Sequence, residues 1–455
     1  MYNIMESEMY SKERGDWIIS SRDYPEPPPG LDWHLVPPGP VPVVNPLKGF
    51  MPYATDENLE VSFPYTMEYF YVPVKSVVDC EGLTYHFNFE HLEKLLDNIA
   101  KRGRQAVFRL YFDYPGLETA VPQCVIDAGV RMHRYTEYGG GLSPDYDDPR
   151  MVELMVRLIE ELGAKFDGDP RIAFIQAGLL GHWGEWHTYP NTHLFASEAT
   201  QLRVLEAYDR SFNKTSILAR YPNRITRRYN VGFHDDSFAF QTLGDEAWYF
   251  YNLLESSGTL DRWKAEPIGG EVRPEIQADV FKEEGLFKHL IECIETTHVS
   301  FLLCETLFRP RSTKPSLTFK DLKRAIFASQ RMGYTFAVCY AAAEKLPNDA
   351  VKVSVVVKNF GVAPFYYGWT VDFGIVTAEG TSVAVEKTRW TLAGILPNQT
   401  VIWSHVFYNV SRFCKKNYYF AIRVSNPLPG GRPVLFANKD QLPNGWLLLL
   451  ECSRL

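Results

Sequence analysis

From residue 45 to about residue 333 the chain alternates short apolar runs with amphipathic helical stretches, and this alternation constrains the fold most. Parallel strands need a crossover of a dozen or more residues between them, and a helix supplies it. Eight strand candidates can be counted: 45–50, 67–73, 105–113, 171–178, 215–220, 229–235, 266–271 and 299–305. Helical patterns fall between them at 88–103, 147–166, 197–212 and 284–297, with a last one at 321–333. Asp147 and Asp148 occupy the first turn of the second helix, where the dipole favours anions, and Ser197 has the character of an N-cap. Residues 114–146 read as a long loop. Eight β-units over roughly 290 residues match a (β/α)8 barrel. A doubly wound sheet is the competing α/β arrangement, but no glycine-rich phosphate loop follows the first strands.

The texture changes after Tyr334. Runs at 351–358, 369–374, 400–406 and 418–424 alternate between Gly, Pro and Asn turns, without helical periodicity. They predict an antiparallel β-sandwich. At the other end, residues 25–46 hold nine prolines, which forbid helix and favour an extended arm on the surface. The expected organisation is an arm over 1–44, a catalytic barrel over 45–333 and an accessory sandwich over 334–455. The sandwich has His405 as its only histidine, which suits a packed support; Trp369, Trp390, Trp403 and Trp446 leave a carbohydrate-binding module open.

Forty-seven basic against 55 acidic residues give a net charge of −8, which argues against a nucleic-acid partner. No run approaches 18 apolar residues, so no membrane span is expected. The N-terminus lacks the pattern of a signal peptide, so the protein is expected either to stay in the cell or to have lost a leader. The compartment and the oligomeric state stay open. Seven scattered cysteines form no C-x-x-C pair, and the odd count leaves a free thiol. Cys304 and Cys339 lie in strands and look like apolar packing.

Active sites of such barrels lie at the C-terminal ends of the strands. Polar residues placed there by the pattern are Glu68, Arg109, Asp113, Glu185, Arg220, His234, Asp235, Asp236, Glu271 and Glu305. Glu185 sits in Gly181-His-Trp-Gly-Glu-Trp-His187, between two indoles. Such rings desolvate a carboxyl group and raise its pKa, as a general acid needs, and offer flat faces to sugars. The alternative is that Trp183 and Trp186 plug the barrel mouth while Glu185 caps an amide. Glu271 follows Pro-Ile-Gly-Gly, where glycines permit close ligand approach; a tight turn with a solvated carboxylate is the other reading. Together, two carboxylates at strands four and seven suit a retaining glycosidase, which needs them about 5–5.5 Å apart. His182, Glu185 and His187, with His234, Asp235 and Asp236, resemble a metal-ligand cluster. Gly181 and Gly184 make the first segment a loop, however, and neither metal nor cofactor is expected. Arg109 and Arg220 orient carboxylates or form structural ion pairs, and His234 bonds substrate or Glu271. The expected substrate contacts are Arg109, His182, Trp183, Trp186, His187, Arg220, His234, Asp235 and Glu305.

The element Gly181-His-Trp-Gly-Glu-Trp-His187 resembles one found in barrel-plus-sandwich proteins known mainly as a pair of domains of unknown function. Asn45-Pro-Leu-Lys-Gly-Phe50, Pro267-Ile-Gly-Gly-Glu271, Phe436-Ala-Asn-Lys439 and Gly445-Trp446 support the resemblance, which spans roughly residues 40–450. That family in turn is similar to clan A glycoside hydrolases. The resemblance implies Glu185 as acid/base and Glu271 as nucleophile, with Gly184 standing where clan members commonly place Asn. The function expected is hydrolysis of an oligo- or polysaccharide. A carbohydrate-binding protein with a degenerate glycosidase cleft is the alternative, and a metal-dependent hydrolase or deacetylase a third.

Overall fold

The computed structural model describes residues 17–55, 63–81, 84–308 and 317–454. Eight parallel strands form the larger body. They are β1 (Gly49–Met51), β2 (Met67–Pro73), β3 (Gln105–Asp113), β4 (Ile172–His182), β5 (Ile217–Ala219), β6 (Gly232–Phe238), β7 (Ile268–Val272) and β8 (Phe301–Leu303). Their order runs β1-β8-β7-β6-β5-β4-β3-β2. A parallel bridge from Tyr53 to Tyr69 returns β2 to β1, with Tyr69 N–H donating to Pro52 O (2.9 Å) and Ala54 N–H to Tyr69 O (2.7 Å). The sheet therefore closes, and the expected (β/α)8 barrel is the fold.

The outer helices are α1 (Glu90–Lys101), α2 (Pro149–Phe166), α3 (Glu198–Ser211), α4 (Phe250–Ser257), α5 (Glu284–Thr297) and α6 (Phe319–Arg331). The sequence of α2 dictates its ends and its face. Pro149 opens it, Asp148 caps the Arg150 N–H (2.9 Å), and Met151, Leu154, Met155, Leu158 and Leu162 form one buried stripe. Ser197 caps α3 as expected, accepting from Thr200 N–H. Helix α4 has no counterpart in the periodicity reading. After β5 the described crossover holds only a single 3₁₀ turn, Thr226–Arg228.

Two differences bear on the site. Strand β4 runs four residues past its expected end at Gly178, because Leu179-Leu180-Gly181 continues the ladder through register shifts against β3. The segment 114–146 is not all loop. It carries a short helix, Gln123–Asp127, and a hairpin that pairs Met132–Tyr135 with Gly141–Pro144. A disulfide joins Cys80 to Cys124, and a second joins Cys414 to Cys452.

The smaller body stacks two antiparallel sheets. Its strands are β9 (Phe336–Leu346), β10 (Ala350–Asn359), β11 (Thr370–Thr377), β12 (Ser382–Thr391), β13 (Thr400–Tyr408), β14 (Tyr418–Val424) and β15 (Leu447–Glu451). One sheet runs β9-β10-β13 and the other β12-β11-β14-β15. The proline-rich arm does more than lie on the surface. Its residues His34–Leu35 extend the first sheet by pairing with β9, while Trp17, Ile19, Tyr24, Val36 and Val41 are buried.

The two bodies share a hydrophobic core at the N-terminal end of the barrel. Phe174 stacks on Phe301 (4.8 Å) inside the barrel and on Tyr367 (5.9 Å) from the sandwich. Tyr367 donates to Ala173 O and accepts from Ser216 N–H. The sandwich thus caps the end of the barrel away from the strand C-termini.

Glu266 lies beside this junction, accepting one bond from Asn230 Nδ2 (2.9 Å). Burial pushes its pKa up to about 7. A carboxyl with a raised folded pKa adds stability below its unfolded value of about 4.5 and loses it as pH climbs to 7. Thermal melts from pH 4 to 8 should show the wild type losing on the order of 2 kcal/mol relative to Glu266→Gln across that window. Parallel curves would show that Glu266 is ionised throughout.

Candidate active site

The barrel interior is organised around one cation. Arg109 and Gln176 face each other in register on β3 and β4. Arg109 donates from Nε (3.0 Å) and Nη2 (2.6 Å) to Gln176 Oε1, which also accepts from Tyr69 OH (3.0 Å). Nη2 donates to Asp236 Oδ2 on β6 (2.6 Å), and Nη1 lies 3.1 Å from Glu185 Oε1. Tyr71 places its ring 5.6 Å from the guanidinium. A buried guanidinium is tolerable only with such partners. Asp236 gains in turn. Burial works against its charge, but Arg109 and His234 hold it well below the usual carboxylate range.

His234 is fully buried, its Nδ1 2.8 Å from Asp236 Oδ1. Burial pushes its pKa down to about 4, so the neutral ring donates Nδ1–H to Asp236. Its Nε2 then has no hydrogen-bond partner.

Past β4 the chain makes a tight loop that presents Glu185. Glu185 N–H donates to His182 O (2.8 Å), Trp186 N–H to Leu180 O (2.9 Å) and Trp183 N–H to Asp113 O (2.8 Å). The path needs positive φ at Gly181 (79°) and Gly184 (69°). A Cβ at Gly184 would also lie 2.8 Å from Leu110 O, so Asn cannot fit there without moving β3. This loop corrects one expectation. The indoles do not sandwich Glu185. Trp186 turns into the core and donates to Ala177 O (2.6 Å), while Trp183 packs edge-on to Tyr138 (5.2 Å) and Tyr114 (6.3 Å). The near neighbours of Glu185 are instead Arg109 and His187 (3.6 Å).

Glu271 ends β7 and accepts from Gln277 Nε2 (3.3 Å). Burial, then the charges of Asp236 and Glu185, push its pKa well above the carboxylate range, against the pull of Arg109. Tyr53, Tyr71 and Tyr114 all sense its charge. Glu305 is exposed and adds a smaller push on Glu271.

A cavity of about 570 Å³ opens at this end of the barrel. Glu185, His187, Arg220 and Asp235 line it, with Asp236 at its wall. Arg220 is buried between Asp235 (3.5 Å) and Asp236 (3.7 Å), and Asp235 accepts from Thr242 Oγ1 (2.7 Å). Six expected contacts are absent from its lining: Arg109, His182, Trp183, Trp186, His234 and Glu305. His182 is buried, its Nδ1 2.8 Å from Asp113, which also accepts from Tyr135 OH (2.5 Å). His234 and Trp186 are buried against protein groups as described. Arg109 serves the carboxylates from below. Glu68 belongs to the opposite end, near the start of β2, where Arg102 and Arg104 pair with it. Among the described residues no three His, Cys, Asp or Glu side chains are placed to hold a metal ion.

Sequence reasoning missed Tyr138, Tyr189, Tyr221, Gln241, Trp248 and Arg273, which also line the cavity. They stand in loops beyond the strand ends, where no periodicity marks them. Gln176 was legible in principle, as a lone polar residue inside an apolar strand.

No family model and no curated protein matches the chain. Among solved structures it is similar to an endo-glycoceramidase II from Rhodococcus sp., at 11% identity over 80% of this chain and 97% of that one, with a TM-score of 0.38. It is also similar to the catalytic domain of β-amylase from Paenibacillus polymyxa, at 11% identity over 62% and 98%, with a TM-score of 0.39. A GH5-4 broad specificity endoglucanase from an uncultured bacterium gives 10% identity over 58% and 81%, with a TM-score of 0.36. At these scores the likeness assigns no role to any residue, and the site is read from its own geometry.

Removing Arg109 takes from Asp236 and Glu185 their nearest cation and leaves Asp236 only Arg220 at 3.7 Å. Arg109→Met should lower the unfolding free energy by about 3–5 kcal/mol in urea titrations at pH 7. Combined with Asp236→Asn, the loss should fall short of additivity by more than about 1 kcal/mol. Full additivity would mean that the two side chains do not depend on each other.

Proposed function

We propose that this protein is a glycoside hydrolase acting on an oligo- or polysaccharide, with Glu185 and Glu271 as its carboxyl pair. One observation carries the reading. Two carboxyls from different strand ends lie close enough for one to sense the other's charge but meet opposite surroundings. Glu185 faces the Arg109 guanidinium at 3.1 Å, whereas burial and neighbouring negative charge push the pKa of Glu271 well above the carboxylate range. A carboxyl that favours its proton beside one paired with a guanidinium suits acid-assisted glycosidic cleavage.

The reaction we infer is a retaining double displacement. One carboxyl protonates the glycosidic oxygen while the other attacks the anomeric carbon, and water then releases the sugar from the glycosyl-enzyme. The sequence resemblance implies Glu185 as acid/base and Glu271 as nucleophile. The raised pKa of Glu271 favours the exchanged roles, with Glu271 as acid and Glu185, beside Arg109, as nucleophile.

Aryl glycosides and azide separate the two assignments. The variant lacking the nucleophile, Glu185→Gln or Glu271→Gln, should lose all turnover. The variant lacking the acid should lose roughly 10²–10⁴-fold on poor leaving groups and less on activated ones. Azide added to a glycine variant at the nucleophile should give a glycosyl azide of inverted configuration, and at the acid/base one of retained configuration. Near-normal rates for Glu271→Gln would exclude it as nucleophile and as acid, and Glu305 would be tested next. Sugar binding without turnover of any glycoside would favour the carbohydrate-binding alternative, as Glu271 is absent from the lining of the cavity that holds Glu185.

A further inference from the structure

We propose that Tyr138, Tyr189 and Trp248 form an aromatic rim that binds a neutral oligosaccharide chain leading away from Glu185. The proposal rests on the hydrolase reading for its place in a reaction, but its binding claim stands apart from turnover. Large aromatic side chains are normally buried, yet these three are 49%, 63% and 55% exposed. All three line the cavity that contains Glu185. They reach it from separate segments: the tip of the 132–144 hairpin, the loop after β4 and the loop after β6.

Their placement is held and not incidental. Tyr138 adopts a left-handed backbone (φ 53°), and its ring rests edge-on against Trp183. Asn191 Nδ2 donates to Glu137 Oε2 (2.7 Å), tying the hairpin tip to the loop that carries Tyr189. Trp248 packs against Tyr249 at 5.4 Å with the two rings close to perpendicular, and more than half of its surface stays exposed. Exposed faces of Tyr and Trp suit the C–H faces of pyranose rings, and Gln241 in the same wall offers both a donor and an acceptor to hydroxyls. A cavity of about 570 Å³ is the size of sites that enclose ligands well beyond a monosaccharide.

The charges of the wall indicate a neutral chain. Its two arginines are already engaged. Arg220 lies between Asp235 and Asp236, and Arg273 donates to both oxygens of Glu275 (2.6 and 2.9 Å). With Glu185, Asp235 and Asp236 also facing the space, an acidic sugar would meet carboxylates without an unpaired cation to receive it.

Calorimetric titration tests the rim with cello-, manno-, xylo- and chito-oligosaccharides and with oligogalacturonates, each of two to six units. At least one neutral series should bind more tightly as the chain lengthens. Trp248→Ala should weaken the longest member about ten-fold and flatten the dependence on length, while Trp248→Phe recovers most of the loss. Because Trp248 is exposed, the variants should fold, and circular dichroism checks this. The rim is overturned if no neutral series binds, if affinity ignores chain length, if Trp248→Ala binds as the wild type does, or if oligogalacturonates bind best. Length-dependent binding without cleavage would retain the rim and sink the hydrolase reading. Cleavage of aryl glycosides without any length dependence would do the reverse.

Discussion

The buried guanidinium of Arg109 is the constraint on which the site depends. A cation inside a barrel must be matched, and this one is matched by Gln176, Asp236 and Glu185 from three other segments. Each match fixes something else. Asp236 orients a neutral His234, and Glu185 is drawn inward from a loop that glycines allow to turn sharply. Arg109 is shared by two carboxylates, and its pull on Glu271 is outweighed by burial and by the charges of Asp236 and Glu185, so the pKa of Glu271 stays raised. The different surroundings of Glu185 and Glu271 thus follow in part from where one arginine stands on β3.

That arrangement needs a rigid barrel, and the sandwich contributes at the far end. The aromatic stack of Phe301, Phe174 and Tyr367 carries the barrel core into the smaller body. Lys48, just ahead of β1, is buried and donates to Gln330 O (3.1 Å) and Tyr334 O (2.9 Å), where the last barrel helix hands over to the sandwich. Burial pushes its ammonium down to about 7. The proline-rich arm adds a third tie by pairing with β9 and bridging Pro38 to Asn438. Support is concentrated away from the mouth, which leaves the loops there free to carry function.

The barrel was legible because its signal is repeated. Eight apolar runs with helical stretches between most of them leave few other closed arrangements, and helices such as α2 and α5 are bounded by residues with clear capping or apolar spacing. The carboxylates of β4 and β7 were legible because the chain marks them with glycines. Their environment was not. Flanking indoles in sequence suggested a Trp-enclosed Glu185, but left-handed residues at Trp183, Gly184 and Trp186, on either side of Glu185, turn the two indoles away from it. Glu68 was misplaced for a similar reason. It lies one residue into β2, and an apolar run does not by itself say which of its ends faces the site. The cavity wall was invisible to periodicity because it comes from loops.

Backbone strain points to the same place from an independent direction. Among the described residues, several with positive φ outside glycine are Asn or Asp, which tolerate that conformation through their short polar side chains. Seven others, where the conformation is costly, are Leu47, Tyr138, Leu179, Trp183, Trp186, Ala239 and His298, and all but Leu47 and His298 lie near the barrel mouth. Leu179 kinks the end of β4, Trp183 and Trp186 shape the Glu185 loop, Ala239 follows β6 beside Asp236, and Tyr138 heads the hairpin over the mouth. Strain of this kind persists only where surrounding contacts over-determine it. The contacts here are Asp113 O beneath Trp183, Ala177 O beneath Trp186 and the Thr242 hydroxyl on the Ala239 amide. Asp235, which faces the cavity, accepts from that same hydroxyl. One group that holds the strained backbone, the Thr242 hydroxyl, is thus tied directly to a carboxylate that faces the cavity.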